Sequence, residues 1–365
     1  MADALGRYHR QMLLAPVGEA GQRALLGSHA LIVGCGALGC ASAELLARAG
    51  VGALTIVDRD VVELTNLQRQ CLFDERDAAE ALPKAVAAER RLKAINSQVR
   101  VRALVEDFTH RNAVRVAGGG DGFGRAAVIL DGTDNFETRY LLNDLSVSMG
   151  LPYLYAGVIG ATGMQATFIP PPAGRGPCLR CLFENPPAPG VAPTCDTAGV
   201  LGAAVQIVAA LQAADAIKIL LGRGDLLSPS LASIDAWSGR LSRIDISSSR
   251  NADCPCCSRR LTPFLSGESA GDASVLCGLG AVQVRPSSSV QRGAAEVLRV
   301  VKERLVPHGS PVVNEFLVRC TLAGEKGDVA TEPIELIVFA DGRAIVKGTR
   351  SVERARTIYA RYVGV

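Results

Sequence analysis

The stretch from residue 30 to residue 58 constrains the fold more than any other. Ala30–Val33 is a short apolar run, and the glycine-rich turn Gly34-Cys35-Gly36-Ala37-Leu38-Gly39 follows it directly. Leu38–Ala49 then has helical spacing, with Leu45 and Leu46 among small residues that permit close packing on a sheet. Gly50 and Gly52 end the helix, and Leu54–Val57 is a second apolar run closed by Asp58. Strand, glycine turn, helix and strand within about 30 residues make a βαβ unit, which requires parallel strands joined by a covering helix. Small residues in the turn let the backbone approach a phosphate, and the helix N-terminus adds N–H donors and a positive dipole end. Asp58 is placed to accept hydrogen bonds from ribose hydroxyls. The turn alone does not separate a dinucleotide such as NAD from ATP.

The alternation continues downstream. Spacing predicts helix at Lys84–Ile95, strand at Val99–Val105, a short helix at Thr109–Val116, strand at Ala127–Leu130 and helix at Arg139–Met149. Strands follow at Tyr153–Ala156 and Met164–Ile169. Residues 118–124, GGGDGFG, follow a helix and precede a strand. That order is wrong for a phosphate loop, so the stretch reads as a surface insertion. Residues 170–193 are rich in proline and glycine and read as an irregular loop. A long buried helix spans residues 198–221, and Leu231–Asp235 with Leu241–Ile246 read as a hairpin. The pattern is α/β: a Rossmann-like, mostly parallel sheet with an antiparallel end. Residues 1–258 form this domain, residues 259–272 a linker, and residues 273–365 a small α+β domain with a ferredoxin-like arrangement as the first expectation.

Bulk properties exclude several classes. Lys and Arg number 39 against 36 Asp and Glu, which argues against a dedicated nucleic-acid binder. The most apolar long stretch, Ala198–Leu221, is interrupted by Gln206, Gln212, Asp215 and Lys218, so no membrane span is expected. The first residues, MADALGRYHRQ, hold no apolar signal core. A soluble cytoplasmic protein is the expectation. The four histidines, His9, His29, His110 and His308, have no catalytic context.

Two further stretches carry chemistry. Residues 58–70, DRDVVELTNLQRQ, bring Asp58, Asp60, Asn66 and Arg69 after a strand end, and Lys84 opens the next helix. Arg is a fixed bidentate phosphate ligand, and Asn can donate to phosphate oxygens. A dehydrogenase has no need of such a cluster beside its ribose carboxylate. An enzyme holding a triphosphate through substitution at the α-phosphorus does. Residues 130–135, LDGTDN, set Asp131 and Asp134 at the carboxyl end of a buried strand, the ligand edge of such sheets. Either carboxylate could hold Mg²⁺ against the phosphates or cap the helix beginning near Phe136.

In a reducing compartment the eleven cysteines are not a disulfide framework. Cys178 with Cys181 and Cys254 with Cys257 have C-x-x-C spacing and can supply four thiolates to a tetrahedral structural Zn²⁺. Their separation exceeds that of a zinc ribbon, so the fold must bring the pairs together. Cys256 lies inside the second pair, where the CPxC pattern favours Cys254 and Cys257. Cys195 follows the proline-rich loop and precedes a helix, and a helix N-terminus lowers a thiol pKa. Cys35, Cys40, Cys71, Cys277 and Cys320 read as packing residues.

RYHRQ at residues 7–11, GCGALG, TNLQRQ, PK at 83–84, GTDN, CLRC, TCDTAGV and CPCC occur in one order. Together they resemble the family of ThiF, MoeB, HesA and the ubiquitin-activating enzymes, over residues 7 to about 258. The resemblance implies a homodimer that uses ATP and Mg²⁺ to adenylylate the C-terminal glycine of a ubiquitin-like sulfur-carrier protein ending in Gly-Gly. A cysteine desulfurase or other sulfur donor would be a further partner, in thiamine, molybdopterin or a related pathway. It also implies roles. Gly34, Gly36, Ala37, Gly39 and Asp58 would hold nucleotide. Asn66, Arg69 and Lys84 would hold the phosphates, Asp134 would hold Mg²⁺ beside Asn135, and Arg10 would reach the partner subunit's ATP. In some relatives the cysteine matching Cys195 forms a covalent link to the carrier, and the family has a four-cysteine zinc site. There are two departures: Ala37 stands where glycine is common, and the interval from Asn66 to Lys84 is expanded. A tRNA-modifying dehydratase, an NAD-linked oxidoreductase and a non-catalytic carrier-binding scaffold are the alternatives. The C-terminal domain does not resemble a rhodanese domain and has no evident persulfide loop.

Overall fold

The computed structural model describes residues 5–119, 122–171, 174, 176–187, 198–269, 275–276, 280–284, 293–328 and 333–364. The chain divides into two compact units, Met1–Asp74 with Pro83–Ala270, and Glu75–Leu82 with Gly271–Val365.

Eight strands build the first unit: β1 His29–Val33, β2 Ala53–Val57, β3 Arg100–Leu104, β4 Val128–Asp131, β5 Tyr153–Ile159, β6 Thr162–Phe168, β7 Ser230–Asp235 and β8 Arg240–Asp245. Their order is β3-β2-β1-β4-β5-β6-β7-β8. The strands from β3 to β5 pair in parallel, and those from β5 to β8 pair antiparallel. This is the mostly parallel sheet with an antiparallel end that the sequence implies. Every residue of β1 and β2 is buried, as strands covered on both faces must be. Leu31, Ile129, Leu142 and Leu145 belong to one core cluster, and Leu38, Ala41, Val205 and Val208 to another.

Strand order reverses direction between β1 and β4, and open α/β sheets bind ligands at such a switch point. Val33 pairs with both Val57 and Asp131, so Gly34, Asp58 and Gly132 emerge side by side at the carboxyl edge. Space there is limiting. Gly34 has φ +87°, and a Cβ on it would lie 2.6 Å from the Gly132 carbonyl oxygen. A Cβ on Gly39 would lie 1.9 Å from the Gly34 carbonyl oxygen. Backbone cannot retreat from that contact without opening the turn. Gly39→Ala should therefore cost more than the roughly 1–3 kcal/mol typical of core overpacking. The urea midpoint measures this; a midpoint matching the parent would show that the turn relaxes freely.

One helix, Gly202–Leu220, has the length and apolarity to cross a bilayer. It packs instead on β4, β5 and β6 of the first unit. Gln212, fully buried within it, donates to the carbonyls of Asp131 (2.9 Å) and Leu154 (2.8 Å) and accepts from Ser42 Oγ (2.7 Å). An amide satisfied at both ends by the sheet and its facing helix belongs to a protein core.

The second unit holds β9 Val275–Leu276, β10 Ala281–Val284, β11 Val312–Val313, β12 Leu317–Lys326, β13 Pro333–Phe339 and β14 Ala344–Lys347. Their order is β11-β12-β13-β14-β10-β9, antiparallel throughout. Helices Ala294–Leu305 and Val352–Tyr362 contribute Val297, Val301, Leu305 and Ile358 to its core. The ferredoxin-like expectation is corrected. That arrangement interleaves its strands, so that each strand pair joined through a helix has another strand between its members. Here the Asp341-Gly342 hairpin keeps β13 beside β14, and β12, β13 and β14 form a meander with β10 beyond it. Asn314 Oδ1 accepts from the Phe316 and Leu317 amides, making a turn between β11 and β12.

Candidate nucleotide site and four-cysteine cluster

The carboxyl ends of β1, β2 and β4 gather most of the candidate residues. Gly34 leaves β1, Gly36 is the N-cap of helix Ala37–Ala49, and Ala37 is its first residue. Asp58 ties this turn to β2. Its Oδ2 accepts from the Cys35 amide (2.6 Å), and its Oδ1 accepts from the Asp60 amide (2.7 Å). One carboxylate thus shapes the glycine turn and the following loop together.

Lys84 opens helix Lys84–Ile95, as its sequence position requires. Its amide donates to the Asp60 carbonyl (2.9 Å), and Pro83 bridges to Val61, so the helix start is pinned to the strand after β2. Its Nζ lies 3.3 Å from Asp60 Oδ2, and only 8% of the residue is exposed. Burial opposes the charge, yet the carboxylates of Asp60, Asp58, Glu63 and Asp134 hold Lys84 above the ordinary lysine range. Asp134 is itself exposed at the β4 edge. The structure therefore brings Lys84, Asp58, Asp60 and Asp134 into one electrostatic cluster. A buried, fully charged lysine is a fixed counter-charge for polyphosphate.

The remaining candidates divide. Asn66 ends the short turn Leu64–Asn66, and its Oδ1 accepts from the Glu63 amide (3.1 Å). Arg69 is half-exposed and donates through Nη1 to the Thr65 carbonyl (2.9 Å). Of the LDGTDN residues, Asp131 is fully buried and accepts from the Thr133 amide, Thr133 Oγ1 and Tyr153 OH. It anchors the edge rather than facing a ligand. The helix cap considered for an aspartate falls to Asn135, whose Oδ1 accepts from the Thr138 amide (2.9 Å). Arg10 is exposed on the short helix His9–Met12. Cys195, and Cys277 with it, lie outside the described residues. Cys71 was expected in packing and is instead exposed, in the turn just before buried Leu72.

Two residues at this edge escape sequence reasoning. Arg59 bonds Asp107 (2.9 Å) and lies 3.7 Å from Asp60, continuing the charge network away from Lys84. Arg139 donates to the carbonyls of Thr133 (2.9 Å) and Ala156 (3.3 Å), and its guanidinium lies over the Tyr155 ring. Each looks like an ordinary charged residue in the chain. Only the meeting of β2, β4 and β5 makes them fixed cations.

The two C-x-x-C pairs converge as the spacing suggests. The Sγ atoms of Cys178, Cys181, Cys254 and Cys257 all lie within 4.8 Å of one another. Contacts of 3.9, 3.6 and 3.5 Å join Cys178 to Cys181, Cys178 to Cys254, and Cys181 to Cys257. Four sulfurs about 2.3 Å from a tetrahedral Zn²⁺ would be roughly 3.8 Å apart, so the set fits that ion. Hydrogen bonding among the sulfurs holds Cys181 below the usual thiol range and pushes Cys178 and Cys257 above it. A divalent cation that accepts four thiolates resolves this conflict. Cys256 stands outside the set: its thiol donates to Asp144 Oδ1 (3.3 Å) and accepts from Asn143 Nδ2 (3.2 Å). Asn143 Oδ1 also accepts from the Leu179 amide (2.9 Å), so one helix positions both cysteine pairs.

Fold and site together define a nucleotide-binding α/β enzyme with a four-thiolate metal cluster. The chain belongs to the ThiF family, whose model matches residues 8–256. It is 42% identical to a sulfur carrier protein ThiS adenylyltransferase from Bacillus subtilis, over 98% of this chain and 99% of that one. A sulfur carrier protein adenylyltransferase from Thermus thermophilus is 40% identical over 70% of this chain and 91% of its own. Among solved structures, E. coli MccB with ATP superposes with a TM-score of 0.58 at 22% identity, over 70% of this chain and 75% of that chain. That likeness concerns the fold alone.

Proposed function

We propose that the protein uses ATP to adenylylate the C-terminal glycine carboxylate of a ubiquitin-like sulfur-carrier protein, releasing pyrophosphate. The observation that carries this is the 42% identity to a ThiS adenylyltransferase across nearly the whole of both chains. The match includes the second unit, which favours a ThiS-like carrier over a MoaD-like one.

Each residue has work to do in that reaction. The carrier carboxylate attacks the α-phosphorus, a P–O bond forms, and the bond to pyrophosphate breaks. No proton moves in the step, so no general base is required. Rate comes from alignment and from cations set where charge accumulates. The Gly34–Gly39 turn admits the phosphates, and Asp58 faces the ribose. Lys84 and Arg69 hold the phosphate oxygens, with Asn66 donating through Nδ2 because its carbonyl oxygen already serves Glu63. Asp134 would hold Mg²⁺, which neutralises phosphate charge when bound. Asn135 contributes by capping the helix behind Asp134. The cysteine cluster holds Zn²⁺ structurally.

Arg10, exposed near the N-terminus, serves the nucleotide of a second copy, and the enzyme works as a homodimer. Cys195 acts near the carrier tail, and a sulfur donor such as a cysteine desulfurase follows in sequence. The reaction takes place in the cytoplasm, where ATP and reduced thiols are available. ATP–pyrophosphate exchange tests the proposal. Exchange should appear only with a carrier ending in Gly-Gly. Exchange that ignores the carrier, or ATP binding without exchange for any carrier, would refute it.

A further inference from the structure

Gln70 follows Arg69 directly and ends the stretch TNLQRQ. Its backbone is fixed on both sides: its amide donates to the Asn66 carbonyl (3.0 Å), and its carbonyl accepts from the Phe73 amide (3.3 Å). The start of helix Gly202–Leu220 backs the same stretch, since a Cβ on Gly202 would lie 3.0 Å from the Gln68 carbonyl oxygen. All of these residues belong to the first unit. Only 4% of Gln70 is exposed. Its side chain borders the glycine turn. A Cβ on Gly36, the N-cap of helix Ala37–Ala49, would stand 3.9 Å from Gln70 Nε2 and 3.9 Å from the Gly132 carbonyl oxygen. Yet Gln70 Oε1 is buried and has no hydrogen-bond partner among the described residues. Buried polar atoms are nearly always paired, and leaving one unpaired is costly.

The kind of atom decides what can satisfy it. Oε1 is an acceptor and needs a donor. The phosphates of ATP bring only acceptors to the glycine turn, and the ribose hydroxyls already face Asp58 in the proposed function. A Gly-Gly tail brings an N–H on the same glycine that carries the attacking carboxylate. A primary amide can pair with such a group at both ends, Oε1 accepting from the N–H while Nε2 donates to an oxygen. From this we infer that Gln70 binds the end of the carrier tail, with Oε1 accepting from the N–H of its last glycine. The inference rests on the proposed function and names a residue that reads the tail.

Gln70→Met keeps the length of the side chain and removes both polar atoms. In the full-length protein, the KM for the carrier in ATP–pyrophosphate exchange should rise about tenfold, because the tail N–H is then buried without a partner. ATP affinity, measured by direct binding without carrier, should stay within about twofold of the parent's, since the lost acceptor meets no phosphate. A carrier whose last peptide link is an ester lacks that N–H at almost unchanged size. The ester should cost the parent the same factor and cost Gln70→Met nothing more, because both changes remove one contact. An unchanged KM for the carrier, a loss of ATP affinity in its place, or ester and Gln70→Met effects that multiply would overturn the inference. If Gln70→Met fails to fold, Gln70→Leu takes its place, and a parent indifferent to the ester overturns the inference by itself. A parent that shows no exchange with any Gly-Gly carrier would refute the proposed function instead, before any variant is made.

Discussion

Serine at both Cys178 and Cys254 is expected to strip the protein of zinc and to lower its thermal midpoint by roughly 10 °C or more. The parent should carry about one Zn per chain by elemental analysis. The reason is geometric. The two cysteine pairs lie 76 positions apart, and their sulfurs approach to 3.5 and 3.6 Å across the pairs. The metal is thus a cross-link between the short helix Leu179–Leu182 and the 254–257 turn. Binding free energy at such a site is folding free energy, because the unfolded chain has no preformed cluster. Removing one thiolate from each pair leaves too few ligands and exposes the remaining thiols to one another. Cys256→Ser is the internal control. Its thiol bonds Asp144 rather than the cluster, so zinc content should hold while stability falls only slightly. Zinc retained by the double variant would show that the cluster is not the metal site.

Arg69→Ala is expected to reduce kcat/KM for carrier-dependent exchange by about 10²–10³-fold, the usual cost of removing one preorganised donor from a charged transition state. Arg69 is well placed for a large effect without collateral damage. It is half-exposed, and its one described bond is to the Thr65 carbonyl, so its loss leaves no buried charge unpaired. Stability should stay within about 0.5 kcal/mol of the parent. Lys84 differs in this respect, because its removal takes a buried cation from beside Asp58 and Asp60 and leaves Asp60 with Arg59 at 3.7 Å. Arg69→Lys should recover only part of the activity, since a point charge does not reproduce bidentate phosphate binding. Full activity in Arg69→Ala would place the phosphates elsewhere.

How much of this is legible in the sequence depends on the range of the forces involved. The βαβ unit around Gly34–Gly39 shows plainly, because strand and helix periods change within a few residues. The segment after β2, residues 58–70, shows its charges but not their partners. That Lys84 is paired with Asp60 depends on Pro83 bridging to Val61, which spacing does not encode. Arg139 sits in a helix where any arginine would pass unnoticed. Its burial beside Tyr155 follows from how β5 meets that helix. Asp131, an equal candidate with Asp134 in sequence, is removed from ligand duty by Tyr153 and Thr133, both tertiary partners. The second unit is legible in the sequence only as a small mixture of helix and strand. Its strand order escaped, because antiparallel meanders and interleaved sheets share the same local pattern. The Asn66–Lys84 interval, noticeable only as an excess of residues, becomes intelligible once Glu75–Leu82 is seen to join the second unit.

The most direct test of the central claim is intact-mass analysis of a Gly-Gly carrier after incubation with the enzyme, ATP and Mg²⁺. Attack at the α-phosphorus predicts a carrier bearing one adenylyl group on its C-terminal carboxylate. The adduct should be formed by the parent, be absent with Arg69→Ala, and be discharged by hydroxylamine. A carrier left at its original mass while ATP is consumed, or one gaining phosphate rather than an adenylyl group, would contradict the account.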